Sequence, residues 1–126
     1  MLKEIKLLGV GTFLPGNAIS NEDMQDKFSV NAEWIELFIG NKSRHLAYDI
    51  HTNELQYNLA EMCKIAANNA LDCADIDADD IDIVILGTAT PDQLMPATVN
   101  TVIDLLGINN VPTYQLQSGC TGAMQA

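Results

Sequence analysis

A chain of 126 residues fits one modest domain or a part of a larger one, and a hydrophobic share of 48% supplies a packed core and excludes disorder. Its 17 acidic residues against 6 basic ones leave a net charge of −11, which repels phosphate backbones and excludes nucleic acid as a partner. No stretch approaches membrane-spanning length, and the opening MLKEIKLLGVG, broken by Glu4 and Lys6, is too short an apolar run for a secretory signal. A soluble, cytoplasmic protein with no membrane partner is expected.

In chain order, IKLLGVGTFLP reads as a first strand ending at Pro15-Gly16. Ser20 or Asn21 then caps a short acidic helix running to about Phe28. NAEWIELFIG reads as a second short helix, capped by Asn31 and stopped by Gly40. A long helix is expected from Thr52 or Asn53, because Leu55, Leu59, Met62, Ala66, Ala70 and Cys73 recur at helical spacing. Cys63 and Cys73 fall within it as packing residues; three cysteines without a C-x-x-C pair signal neither a disulfide framework nor a zinc ribbon.

After an acidic connection, IDIVILGTAT is β-branched and nearly all apolar, as a strand buried on both faces would be. Pro96 opens a helix with Val99, Val102, Ile103 and Leu106 on one stripe and Gly107 as its stop, and VPTYQL follows as a strand. Strand, crossover helix and strand make a βαβ unit whose two strands run parallel, which places Cys120 just past a strand's carboxyl end.

Ligand sites of open α/β sheets gather at that end. Cys120 stands in QSGCTGAM, between Gly119 and Gly122 and ahead of a helix-like run whose free N–H groups favour a thiolate. This pattern fits an exposed nucleophile on a strand-to-helix turn, and equally a buried cysteine that tolerates small neighbours.

Other motifs fail on spacing. Gly9-Val10-Gly11 begins a dinucleotide fingerprint, but the third glycine falls at Leu14. Asp75, Asp77 and Asp79 open like a calcium loop, yet its turn glycine is Asp80 and its closing glutamate Leu86. A phosphate-binding C-x5-R loop needs arginine where Ala126 stands. His45 and His51 form no ligand pair at helical spacing, so no metal site is expected, and His45 reads as a loop histidine rather than a general base for Cys120.

Four segments, GVGTFLPGNAISNEDM, EWIELFIGNKSRHLA, GTATPDQLMPATVNTVIDLLGI and YQLQSGCTGAMQA, resemble in order and spacing the N-terminal part of a ketoacyl-acyl-carrier-protein synthase III. The resemblance implies an α/β, thiolase-like fold, a mostly parallel sheet with crossover helices. Residues 1–126 would form a partial N-terminal half that ends just after the nucleophile, with no complete second domain. It also implies that Cys120 takes an acyl group from a thioester of coenzyme A or acyl carrier protein, which is a substrate, with no bound cofactor. A decarboxylative condensation with a malonyl thioester, or acyl transfer, would follow, in fatty acid or polyketide biosynthesis. The family's histidine and asparagine lie further along the chain. The expected partners are therefore the remainder of the same enzyme or a complementing chain, a homodimer when complete, and an acyl carrier protein. This chain by itself would be inactive.

Five further positions carry implications from the resemblance. Trp34 matches the tryptophan at the mouth of the coenzyme A tunnel, whereas the arginine and threonine expected after it are Phe38 and Ile39. Met95, just before Pro96, matches a residue by which one subunit borders the acyl pocket of the other; its alternative is a loop methionine that packs under the Pro96 helix. The aspartate usual five residues before the cysteine is Gln115. These departures point to a specialised branch that accepts acyl groups from a carrier protein or transfers them without elongation. A reading of a different class is a non-catalytic subunit, a degenerate half that stabilises an active homologue.

Overall fold

A computed structural model of the chain describes residues 4–126. The chain forms two compact bodies, one of residues up to Phe13 with Leu59–Ala126, the other Leu14–Asn58.

The second body is built on local capping. A two-residue strand β1 (Ile19–Ser20) runs into helix α1 (Asn21–Phe28), and β1 pairs antiparallel with β2 (Ser43–Arg44). Ser20 caps α1: its hydroxyl accepts the Asp23 N–H at 3.0 Å, and the Asp23 carboxylate accepts the Ser20 N–H at 2.9 Å. The Ser20 N–H first, and then the Ser20 hydroxyl, which donates to the same carboxylate at 2.8 Å, hold the Asp23 carboxyl below its ordinary value of 3.8. The Arg44 guanidinium donates to the Ser20 carbonyl at 2.9 Å and to the Asn21 amide oxygen, and the Asn21 amide donates to the Asn41 carbonyl at 2.8 Å. Asn21 is thus buried with its polar atoms satisfied.

Asn31 caps α2 (Ala32–Trp34), accepting the Trp34 N–H at 2.7 Å as its sequence position predicts. The helix then widens into a π-helical turn over Ile35–Ile39, closed by the Gly40 N–H on the Ile35 carbonyl at 3.0 Å, with Gly40 at φ +78°.

The expected long helix starts later than its periodicity suggests. Asp49 accepts the N–H groups of His51 and Thr52 at 2.7 and 3.0 Å, which bends the chain into a turn, and Leu55 bridges to Tyr48 in extended form. Helix α3 runs Leu59–Ala74, in the first body. The stripe residue Leu55 therefore lies outside the helix, in an extended bridge that follows a turn whose carboxylate satisfies the preceding amides.

The βαβ unit is as expected. Strand β3 (Val84–Gly87) and β4 (Thr113–Leu116) pair in parallel, with Val84 opposite Thr113 and Gly87 opposite Leu116, joined by α4 (Thr98–Leu106). Val99 and Val102 of α4 are buried and Gly107 ends it at φ +73°. Ile83 and Ile85 remain exposed, so β3 is not covered on both faces among the described residues.

The expected first strand, residues 5–15, has no ladder among the described residues. It lies instead along α3: the Asn69 amide donates to the Thr12 carbonyl at 2.9 Å, and a Cβ on Gly9 would stand 2.8 Å from the Ala74 Cβ. Gly9 and Gly11 thus serve close backbone packing against a helix lined by Ala66, Ala70 and Ala74. Between Leu8–Gly9, α3, β3 and α4 lies an apolar cavity of about 410 Å³.

Candidate functional site

Strand β4 delivers the chain to Ser118, and Gly119 at φ +59° turns it sharply. Only a residue without a side chain adopts that conformation at no steric cost. Cys120 follows in a single 3₁₀ turn, Gly119–Thr121, which runs into α5 (Gly122–Gln125). The thiol is exposed.

A closed set of three side-chain bonds braces this turn. The Ser118 hydroxyl donates to the Gln125 amide oxygen at 2.8 Å, the Gln125 amide donates to Thr121 Oγ1 at 3.0 Å, and the Thr121 hydroxyl donates to the Ser118 carbonyl at 3.0 Å. Each residue holds the next, so the turn that carries Cys120 is braced from both sides while the cysteine itself stays exposed.

Gly122 plays a different part from the one its place beside the cysteine suggests. It is buried, and a Cβ added at Gly87 would stand 2.8 Å from its carbonyl carbon and oxygen. The pair of glycines lets the first turn of α5 rest on the end of β3, which seats the cysteine turn on the sheet.

The loop from β3 to α4 carries Met95, which is 88% exposed. Three bonds hold this loop that the sequence did not announce. The Asp92 carboxylate accepts the Leu59 N–H at 2.8 Å and the Ala60 N–H at 2.9 Å, capping α3 from another element, and the Asp92 N–H donates to Thr98 Oγ1 at 3.0 Å. Gln115 accepts the Val99 N–H at 3.2 Å and so serves α4, whose Ala97 has no side chain able to cap it. An aspartate followed by polar and apolar loop residues carries no sequence signal of such a partner.

Trp34 and Phe38 stand together in the second body, their ring centroids 5.4 Å apart and their planes inclined at 31°. They are 52% and 69% exposed, so the end of α2 and the π-helical turn together present an aromatic surface. His45 belongs to this body too; its Nδ1 lies 3.0 Å from the Pro15 carbonyl, where a protonated nitrogen donates.

Cys63 lines the apolar cavity, whose walls include neither Cys120 nor Met95. Burial, and then the Asp92 charge, push the Cys63 thiol above its ordinary value of 9.0, which keeps it protonated and unreactive. Among the described residues no cluster of three or more His, Cys, Asp or Glu side chains could hold a metal ion, and no helix is long and apolar enough to cross a membrane.

No protein-family model matches the chain. Comparison with curated proteins finds a β-ketoacyl-[acyl-carrier-protein] synthase III of Neisseria meningitidis serogroup B, 41% identical over 122 residues, which are 96% of this chain and 36% of that protein. The chain is ketoacyl-ACP synthase III-like. It spans about a third of the length of the curated relatives it matches. Among solved structures, AbyA1, a tetronic acid condensing enzyme, superposes with a TM-score of 0.85 at 43% identity, covering 94% of this chain and 37% of that one. The 3-oxoacyl-[acyl-carrier-protein] synthase III of Aquifex aeolicus superposes at 0.84 with 29% identity, over 96% of this chain and 37% of that one. The synthase III-like chain therefore carries part of a thiolase-like α/β fold, as its four motif segments implied.

Proposed function

We propose that residues 1–126 form the nucleophile-bearing part of a ketoacyl synthase III-like condensing enzyme, in which Cys120 is the acylated residue. The Cys120 thiolate attacks the carbonyl carbon of an acyl thioester; the carbon–sulfur bond to the carrier breaks, and the carrier's thiol departs with a proton. A malonyl thioester then loses carbon dioxide and its carbon attacks the acyl group, releasing the cysteine; in the alternative outcome the acyl group passes to another acceptor. By resemblance, a histidine and an asparagine from outside these residues assist. Trp34 and Phe38 meet the donor's carrier, coenzyme A or acyl carrier protein, and Met95 borders the acyl pocket across a homodimer.

The observation that carries this reading is the setting of Cys120: an exposed thiol on a glycine turn at the carboxyl end of a parallel strand, in a loop braced by Ser118, Thr121 and Gln125. The test is acyl-enzyme formation. Cys120→Ala removes it while assembly stays intact, since alanine fits the same space, and Cys120→Ser is nearly as inactive because an alkoxide is far harder to generate than a thiolate. Acylation of Cys120→Ala at wild-type level would overturn the assignment of Cys120 as the acylated residue.

A further inference from the structure

We propose that Asp92 is a positioning residue, which by tying the loop between β3 and α4 to the amino end of α3 sets where Met95 stands and so which acyl chains Cys120 accepts. This rests on the proposed acylation of Cys120 and on Met95 as a wall of the acyl pocket. The loop leaves β3 at Gly87 and enters α4 at Thr98, and it is anchored at two points. One is Asp92, whose two carboxylate oxygens are both occupied, by the N–H groups of Leu59 at 2.8 Å and Ala60 at 2.9 Å. The other is Thr98, 1% exposed, which accepts the Asp92 N–H at 3.0 Å and is followed by Val99, held by Gln115 at 3.2 Å.

Between the anchors Leu94 and Met95 are pushed outward and exposed. The span is short, so a shift of Asp92 has few bonds over which to dissipate before it reaches Met95, three positions on. The amino end of a helix carries partial positive charge, which makes a carboxylate the fitting clasp. An asparagine at this position has one acceptor oxygen, and its NH₂ would confront the second N–H donor. Asp92→Asn therefore keeps the volume and loses one of the two bonds.

The experiment compares wild type with Asp92→Asn in the complete enzyme, by two readouts. The first is amide hydrogen exchange at Leu59 and Ala60, which should accelerate. The second is the ratio of kcat/KM for acyl thioesters of two chain lengths, which should change about tenfold, the scale on which a methylene is discriminated in an apolar pocket. A cap without influence on the pocket accelerates exchange but leaves that ratio unchanged, which overturns the inference. Thr98→Val, which removes the other anchor's hydroxyl at equal size, should move the ratio as well; should Asp92→Asn fail to fold, an unaltered ratio in Thr98→Val overturns the inference in its place. Absence of any acyl group on wild-type Cys120 would overturn the proposed function itself, a result distinct from a wild-type enzyme whose chain-length ratio ignores both variants.

Discussion

At the scale of single residues, the seat of the cysteine turn can be probed with one methyl group on either side of the same contact. A Cβ at Gly87 meets the Gly122 carbonyl at 2.8 Å, backbone that cannot rotate away, whereas a Cβ at Gly122 has its nearest neighbour at 3.8 Å, an ordinary contact. Gly87→Ala should cost about 1–3 kcal/mol by overpacking, and Gly122→Ala far less. Thermal unfolding of the two variants checks this; equal losses would show that the close approach of α5 to β3 does not hold. Phe38 offers a second residue-level prediction. An aromatic ring cannot make the charge-assisted bonds by which arginine grips phosphate, so acyl thioesters bearing only the phosphopantetheine arm should compete well with acyl-coenzyme A. Phe38→Arg should shift that competition toward coenzyme A, and a strong coenzyme A preference already present in wild type would contradict the role given to Phe38. The Cys120 turn was legible in the sequence because a glycine on each side of a cysteine limits what the backbone there can do. Asp92 was not legible: its partners lie 33 and 32 residues away, and a loop aspartate reads the same whether it faces water or a helix end.

At the scale of elements, local signals were reliable where the partner is a near neighbour. The caps at Ser20 and Asn31 and the stops at Gly40 and Gly107 stand where the sequence puts them, since each is settled within one helical turn. The start of α3 was misplaced for the converse reason, its cap arriving from the β3–α4 loop. The two-residue strands β1 and β2 carry no periodicity to read. The Ser20–Asp23 box gives a pH-dependent prediction. Asp23 has a folded value below its ordinary 3.8, so its contribution is fully present above 3.8 and is lost as pH falls through the lower folded value. Ser20→Ala should cost about 1 kcal/mol at neutral pH by loss of the cap. The difference between the two proteins should narrow in acid well below 3.8, because the protonated carboxyl no longer rewards the wild-type box. Urea unfolding at the two pH values checks it, and a difference that stays constant would mean the Ser20 hydroxyl does not bond the Asp23 carboxylate, the backbone N–H bond being common to both proteins.

At the scale of the whole molecule, the parallel βαβ unit and its glycine-flanked cysteine follow from pattern, and they place Cys120 at the end of the sheet where α/β folds bind ligands. The unladdered first segment did not follow, because pattern reports apolar extended chain and not whether a neighbouring strand pairs with it. Its exposed Ile5, Leu7 and Leu8 are apolar surface that an enzyme of the relatives' length would have more chain to cover. The proposed function requires that Cys120, and not another thiol, carry the acyl group. Cys73 and Cys120 are both exposed, while Cys63 is half-buried with its thiol pushed upward, so exposure alone does not select Cys120. The decisive measurement is peptide-resolved mass spectrometry of the complete protein after exposure to acyl thioesters. The prediction is one acyl group, on the peptide containing Cys120, with Cys63 and Cys73 unmodified. An acyl group on Cys73 at equal or greater occupancy, or none on Cys120, would contradict it.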